Sequence, residues 1–473
     1  LDIEPINPTL TVILTNNRLN MKLLPSKKAN RTHNPIRAIV DNLKPPQNHP
    51  KKLLNLALGD PTCYGNLKCP SVLADAVKEC LAGEAVNGYL PSTGSPAARK
   101  SIAELYSHSD CVVTDDDVVI CSGCSGALEL AISVLVDEGD NILVPRPGFP
   151  LYQVIVDSLG GSVKHYDLKP EADWECDVEH MDSLVDSNTK AILITNPSNP
   201  CGSSYSAEHL NTIVAVARKH QLPIIADEIY GGCVFNGIFT SISALSGEIP
   251  VIAVGGLAKE FIVPGWRVGW VVLYDRSTTT PKVAAEVKNG LKSLSQLILG
   301  ACSLIQSAIP RVLTPQRGSH DERALQRFNS EYMDLLRSNT AICMSETAKC
   351  PELNAVEPKG AMYVMVHVDI SRLQGFEDDR DFSAKLLVEE NVFVLPGQCF
   401  GMPSYFRLVT CPPPELMREA ISRITEFCAR HRAPIVAGMT TVQETMAANG
   451  IVCNSDEKQV ANGMTGQKRK ASA

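Results

Sequence analysis

The sequence lacks the features that mark membrane proteins and nucleic-acid-binding proteins. No apolar run approaches the roughly 20 residues of a membrane span, and the short run from Thr9 to Leu14 has no basic lead of the kind that a signal peptide carries. Basic residues are not in excess, because 44 lysines and arginines stand against 52 aspartates and glutamates, for a net charge of −8. We therefore expect no membrane and no nucleic-acid partner, and a cytoplasmic location, with a mitochondrial one left open.

The 16 cysteines lack the clustered spacing of a small disulfide-rich secreted protein. Cys121 and Cys124 form a CxxC pair, but no second pair follows at the spacing of zinc ligands. These patterns predict reduced thiols and no metal site. What the chain does have is length and core, since 473 residues with 44% hydrophobic content exceed one average domain.

Helix and strand signals alternate from about residue 77 to residue 335. This alternation predicts an α/β fold with a mostly parallel sheet and helices on both faces. Residues 1–33 mix polar, basic and short apolar pieces and are expected to form an N-terminal extension. Residues 433–473 show no sustained period and are rich in small and polar residues, so we expect a disordered C-terminal tail.

A lysine and an arginine stand eight residues apart in an apolar setting. Lys259 follows the buried-strand signal Val251 to Val254 and two glycines, and Arg267 comes after it. A lysine amine among apolar groups can condense with a carbonyl group, and a guanidinium fork suits a phosphate. The pair indicates a cofactor that carries both an aldehyde and a phosphate, although two surface cations remain the simpler alternative.

Two upstream strand signals also end in polar residues. Ala191 to Thr195 leads into a turn that contains Asn199, and Pro223 to Ala226 leads into Asp227 and Tyr230. Ligand crevices of α/β sheets lie at such strand ends, although an aspartate there can also cap a helix.

Two further segments predict anion sites. A strand signal from Val118 to Ile120 precedes a turn and a predicted helix start at Ser125, where free backbone amides attract an anion. Arg407 lies inside the apolar strand signal Tyr405 to Val409. A buried guanidinium requires a carboxylate, which either a substrate or an internal aspartate or glutamate would supply.

Taken together, these motifs resemble the fold-type I pyridoxal-phosphate aminotransferases over about residues 34 to 432, and among them the tyrosine aminotransferase subgroup. The segments closest to that subgroup are Asn34 to Arg37, Gly59 to Thr62, Asn87 to Tyr89, Val144 to Phe149, Asn196 to Gly202 and Gly360 to Tyr363. The resemblance implies a fold-type I transferase: a large cofactor-binding domain (77–335) with a mostly parallel seven-stranded sheet, and a smaller α/β domain (34–76 and 336–432).

The resemblance also implies roles for single residues. Lys259 would bind the aldehyde of pyridoxal phosphate as a Schiff base and then move the α proton of the substrate, while Asp227 would pair with the ring nitrogen. The remaining implied contacts are Tyr230 and Asn199 with the phenolic oxygen, Phe149 on the ring face, Ser125, Gly126, Ala127 and Arg267 with the phosphate, Tyr89 with the phosphate from the other subunit of a homodimer, and Arg407, Asn199 and Gly59 with the substrate. The family pattern has a serine three residues before the lysine, where this chain has Gly256.

The implied reaction is ping-pong transamination of tyrosine, phenylalanine, other large apolar amino acids and methionine, with a 2-oxo acid as acceptor. The alternatives are a carbon–sulfur lyase or an alanine-type aminotransferase on the same fold, and a non-enzymatic binding protein that retains it. Ser293 to Cys302 contains no basic residue, and Leu297 stands where the mammalian-type members of the subgroup resemble one another in carrying an arginine. This segment predicts a preference for monocarboxylic substrates over aspartate.

Overall fold

The computed structural model of this protein describes residues 23–41 and 44–434. The strands of these residues are β1 (Leu54–Asn55), β2 (Val118–Ser122), β3 (Asn141–Arg146), β4 (Ser162–Lys169), β5 (Glu175–Cys176), β6 (Thr189–Thr195), β7 (Ile224–Asp227), β8 (Val251–Gly256), β9 (Val268–Tyr274), β10 (Leu353–Ala355), β11 (Tyr363–Val368), β12 (Val392–Phe393), β13 (Leu395–Pro396) and β14 (Tyr405–Val409). The helices are α1 (Lys27–Arg31), α2 (Pro35–Val40), α3 (Ser71–Ala82), α4 (Pro96–Tyr106), α5 (Gly123–Ser133), α6 (Leu151–Leu159), α7 (Val178–Ser183), α8 (Ala207–His220), α9 (Leu257–Glu260), α10 (Ala285–Ser295), α11 (Ser303–Leu313), α12 (His320–Thr347), α13 (Asp379–Glu390) and α14 (Pro414–Arg430).

The large sheet has the strand order β2-β9-β8-β7-β6-β3-β4-β5. Its central strands run parallel, whereas β9 is antiparallel to both of its neighbours. The seven long strands match the predicted sheet, and the two-residue β5 adds an eighth strand at the edge. This extra strand forms because the chain reverses after β4, with Asp173 in the left-handed region (φ 55°), and pairs back antiparallel on β4.

The central strands are buried on both faces, which explains their continuous apolar sequences. In β6, for example, Ile192 and Ile194 pack in one core cluster and Leu193 packs in another. Successive side chains of a strand point to opposite faces, so both faces of β6 are buried in apolar cores. Polar residues are therefore found at the ends of these strands. The predicted fold class is confirmed.

A second sheet, with the order β10-β11-β14-β13, is antiparallel and has its own apolar core. Its register pairs Tyr363 with Val409 and Met365 with Arg407. Tyr363 and Arg407 are therefore diagonal neighbours on one face of the sheet.

The predicted domain boundaries stay predictions. Helix α12 runs through the predicted boundary at residues 335 and 336, so one continuous 28-residue helix spans it. Most of the predicted extension and tail, residues 1–22 and 435–473, lies outside the described residues. Among the helices of the described residues, none has both the length and the apolar character needed to cross a membrane.

Candidate active site

A cavity of about 310 Å³ lies where the ends of β6, β7 and β8 meet the start of α5 and the second sheet. Most of the residues predicted from sequence line it, although they come from distant parts of the chain. These are Gly59, Ser125, Phe149, Asn199, Asp227, Tyr230, Lys259, Arg267 and Arg407.

Lys259 lies on the short helix α9, directly after β8. Its Nζ donates a hydrogen bond of 2.6 Å to the carbonyl oxygen of Gly59. A side chain at position 59 would displace the hydroxyl of Tyr363, because a Cβ there would stand 2.4 Å from that oxygen. The glycine thus lets the lysine and the tyrosine approach the same stretch of backbone.

Asp227 ends β7 and is 3% exposed. Its Oδ2 accepts a hydrogen bond of 2.8 Å from the hydroxyl of Tyr152, and its Oδ1 accepts one of 3.3 Å from the amide of Ile229. Burial raises the pKa of this carboxyl group, and the bond from Tyr152 opposes that rise. Within the described chain no helix begins at Asp227, so the helix-cap alternative does not hold.

The anion site at α5 begins earlier than the sequence predicted. The helix starts at Gly123, because a glycine with φ 71° lets the chain turn directly from β2 into the helix. The unpaired amides at a helix start are those of its first turn, here Gly123, Cys124 and Ser125. By this rule the amides of Gly126 and Ala127 lie within the helix, and Ala127 is fully buried in the core.

Arg267 lies against this helix start. Its Nη1 donates to the carbonyl oxygen of Pro264 (3.0 Å), and its Nη2 donates to that of Ser122 (3.4 Å). A Cβ on Gly123 would stand 2.4 Å from Nη2, so the guanidinium lies directly over the first residue of α5. Both acceptors are carbonyl oxygens, and no carboxylate of the described residues pairs with Arg267, so its positive charge lies beside the free amides. This arrangement fits a phosphate.

Arg407 is 3% exposed and its positive charge has no acidic partner among the described residues. Its Nη1 donates to Oδ1 of Asn199 (2.8 Å) and its Nη2 donates to the carbonyl oxygen of Ala57 (2.7 Å). Its Nε has no partner within the described chain. Burial lowers the pKa of Arg407. The internal-carboxylate alternative is therefore wrong for the described residues, and a ligand carboxylate fits the charge.

Two tyrosines that the sequence analysis did not assign to the site contribute to it. Tyr152 contacts Asp227, as described above, and its ring also packs edge-on against Phe149, with centroids 5.7 Å apart. Tyr363 shares a hydrogen bond of 2.6 Å with the hydroxyl of Tyr230. The segment Gly360 to Tyr363 was part of the resemblance, and that was the only signal available for Tyr363.

Tyr89, predicted to act from a partner subunit, is 96% exposed and does not line the cavity of its own chain. Leu297 is also exposed, at 79%, and lies in the turn after α10.

Comparison with known proteins gives consistent results. The family model "Aminotransferase class I and II" matches residues 51–424. The tyrosine aminotransferase of Mus musculus is 42% identical over 408 residues, which cover 86% of this chain and 87% of that protein. The tyrosine aminotransferase of Dictyostelium discoideum is 43% identical over 410 residues, covering 86% and 96%. The crystal structure of tyrosine aminotransferase from Leishmania infantum superposes with a TM-score of 0.81 at 36% identity, covering 87% of this chain and all (100%) of that one.

Proposed function

Because the chain belongs to the class I and II aminotransferases, which depend on pyridoxal phosphate, we propose that it transfers the amino group of tyrosine to a 2-oxo acid by a ping-pong mechanism. Phenylalanine, other large apolar amino acids and methionine are further donors. The similarity to tyrosine aminotransferases along most of the chain supports this substrate class.

The observation that carries the proposal is the buried, unpaired guanidinium of Arg407 in the same cavity as Lys259. A buried positive charge is costly unless an anion neutralises it, and α-amino acids and 2-oxo acids both bring a carboxylate. Asn199 and the carbonyl oxygen of Ala57 are both neutral acceptors, so the hydrogen bonds of Nη1 and Nη2 leave the positive charge of Arg407 without a counterion.

The described residues fit pyridoxal phosphate. Arg267 and the amides of Gly123, Cys124 and Ser125 would hold the phosphate, and Asp227 would accept a hydrogen bond from the ring nitrogen. Tyr230 and Asn199 would contact the phenolic oxygen, and Phe149 would cover the ring. When bound, the cofactor supplies a carbonyl carbon for the amino group and a ring that accepts electrons.

In the reaction, Lys259 acts through its Nζ, which takes the proton from Cα of the amino donor in the first half-reaction and delivers a proton to Cα of the 2-oxo acid acceptor in the second. Asp227, buried away from water, would supply the negative charge that stabilises a proton on the ring nitrogen of the cofactor. Arg407 fixes the substrate carboxylate and so orients the Cα proton toward the lysine amine.

We also propose a homodimer in which Tyr89 reaches the phosphate of the partner's site. Its near-complete exposure in one chain supports a role outside that chain. A cytoplasmic location agrees with the fifteen cysteines of the described residues, all of which are free thiols.

The test is a product assay on the purified protein loaded with pyridoxal phosphate. Tyrosine with pyruvate or 2-oxoglutarate is expected to yield 4-hydroxyphenylpyruvate together with alanine or glutamate. A carbon–sulfur lyase would instead release pyruvate and ammonia from cysteine conjugates without an added oxo acid. If neither assay yields a product, or if only the lyase products form, the proposal is contradicted.

A further inference from the structure

Tyr363 connects the two parts of the site that bind different chemical groups. Its hydroxyl lies 2.6 Å from that of Tyr230, on the cofactor side, and the face of its ring lies 4.3 Å from the guanidinium carbon of Arg407, on the substrate side. Tyr363 is 2% exposed, so both contacts are shielded from water.

The hydrogen bond between the two hydroxyls has one favourable direction when a ligand is bound. A hydroxyl has a single proton to donate, so when Tyr230 donates its proton to the phenolic oxygen of the cofactor, the proton between the two tyrosines has to come from Tyr363. Tyr363 is placed to be that donor, since Gly59 leaves room for its hydroxyl at a position that a side chain would fill. Tyr363 thus contacts Tyr230 through its hydroxyl and Arg407 through the face of its ring.

We propose that Tyr363 is a positioning residue that orients the hydroxyl of Tyr230 toward the cofactor through its own hydroxyl and holds the carboxylate receptor Arg407 through its ring. This inference rests on the proposed function. The two contacts belong to different parts of one side chain, so two substitutions separate them. Tyr363→Phe removes the hydroxyl and keeps the ring, whereas Tyr363→Leu removes both.

The first measurement is the pKa of the lysine-bound cofactor, read from the pH dependence of visible absorbance of the holoenzyme. A donor bond to the phenolic oxygen favours its ionised form, so weakening that bond in Tyr363→Phe is expected to raise this pKa by about 0.5 to 1. The second measurement is the Kd of 3-phenylpropionate, a carboxylate with no amino group. Tyr363→Phe is expected to keep this Kd, while Tyr363→Leu weakens it about threefold to tenfold by losing the ring beneath Arg407.

Tyr332→Phe is the matched control, because Tyr332 is also 2% exposed and packs in the same core cluster but does not line the cavity. It is expected to change neither value.

An unchanged pKa in Tyr363→Phe, or an equal rise in Tyr332→Phe, overturns the role of the hydroxyl. An unchanged Kd in Tyr363→Leu overturns the role of the ring. Neither measurement needs turnover, so a failure here is distinguishable from a failure of the proposed function, which the product assay tests.

Discussion

Lys259 donates its hydrogen bond to the carbonyl oxygen of Gly59, a residue 200 positions earlier in the chain. This acceptor is neutral, and no carboxylate of the described residues forms an ion pair with Lys259. A lysine that is held by one carbonyl group can exchange that contact for another without breaking a salt bridge. The amine of Lys259 is therefore held in position and can still move to a new partner.

We expect Lys259→Ala to lower transamination by at least about 10² to 10⁴-fold, since it removes the group that carries the proton. The protein is expected to stay folded and to retain phosphate binding through Arg267. Steady-state rates and melting temperature check both expectations. Lys349→Ala is the control, because Lys349 is an exposed lysine in the turn after α12, and its ion-pair partner is Glu346 near the end of that helix. Near-normal turnover in Lys259→Ala would refute the assignment.

Asp227→Asn is expected to lower kcat by about 10² to 10³-fold, because a neutral amide does not stabilise a proton on the ring nitrogen. The size of the side chain hardly changes, so KM and melting temperature are expected to change little. The exposed Asp110 offers a control as Asp110→Asn. An Asp227→Asn protein that unfolds, but has normal activity per folded molecule, would indicate a purely structural role.

Glu260→Gln is expected to stabilise the protein at alkaline pH. The carboxyl of Glu260 has no hydrogen-bond or ion-pair partner among the described residues, and burial raises its pKa from 4.5 to about 7. Because the pKa is raised in the folded state, the protonated carboxyl of Glu260 favours the folded protein. This stabilisation is fully present below pH 4.5 and is lost as the pH rises through about 7. Glutamine stays neutral, so the variant is expected to gain about 1 to 3 kcal/mol at pH 8 and little at pH 5.

Urea unfolding of the holoenzyme at both pH values measures this difference in the free energy of unfolding. Glu286→Gln is the control, because Glu286 is exposed on α10. Equal stability of Glu260→Gln and the unchanged protein at pH 8 would show that water solvates the carboxylate.

Tyrosine is expected to exceed aspartate in kcat/KM by about tenfold or more, because burial of a second carboxylate without a countercharge costs several kcal/mol. The segment from Ser293 to Cys302 supplies no basic residue. Rates for both donors with pyruvate as the common acceptor decide the point. Arg37 lines the cavity, so Arg37→Ala is expected to slow only dicarboxylic partners such as glutamate. A preference for aspartate would contradict the substrate class.

Sequence patterns predicted the residues that follow buried strands, such as Asp227 and Lys259, because a break in an apolar run is a local signal. Arg407 was predicted on similar grounds, as a charge within an apolar strand. The contacts of Tyr152 and Tyr363 depend on which element packs where, and no local pattern carries that information. The start of α5 was misplaced because Gly123 reads as a turn residue, whereas its positive φ lets the helix begin at once.

The positions of Lys259 and Arg407 along the chain also decide when the site can form during protein synthesis. Nη2 of Arg407 binds the carbonyl of Ala57, 350 positions earlier. A ribosome makes the chain from the N-terminus, so the cofactor residues near Asp227 and Lys259 emerge well before the strand that carries Arg407. A nascent chain cannot form the carboxylate receptor until β14 has left the ribosome, and a premature stop codon anywhere upstream removes it entirely.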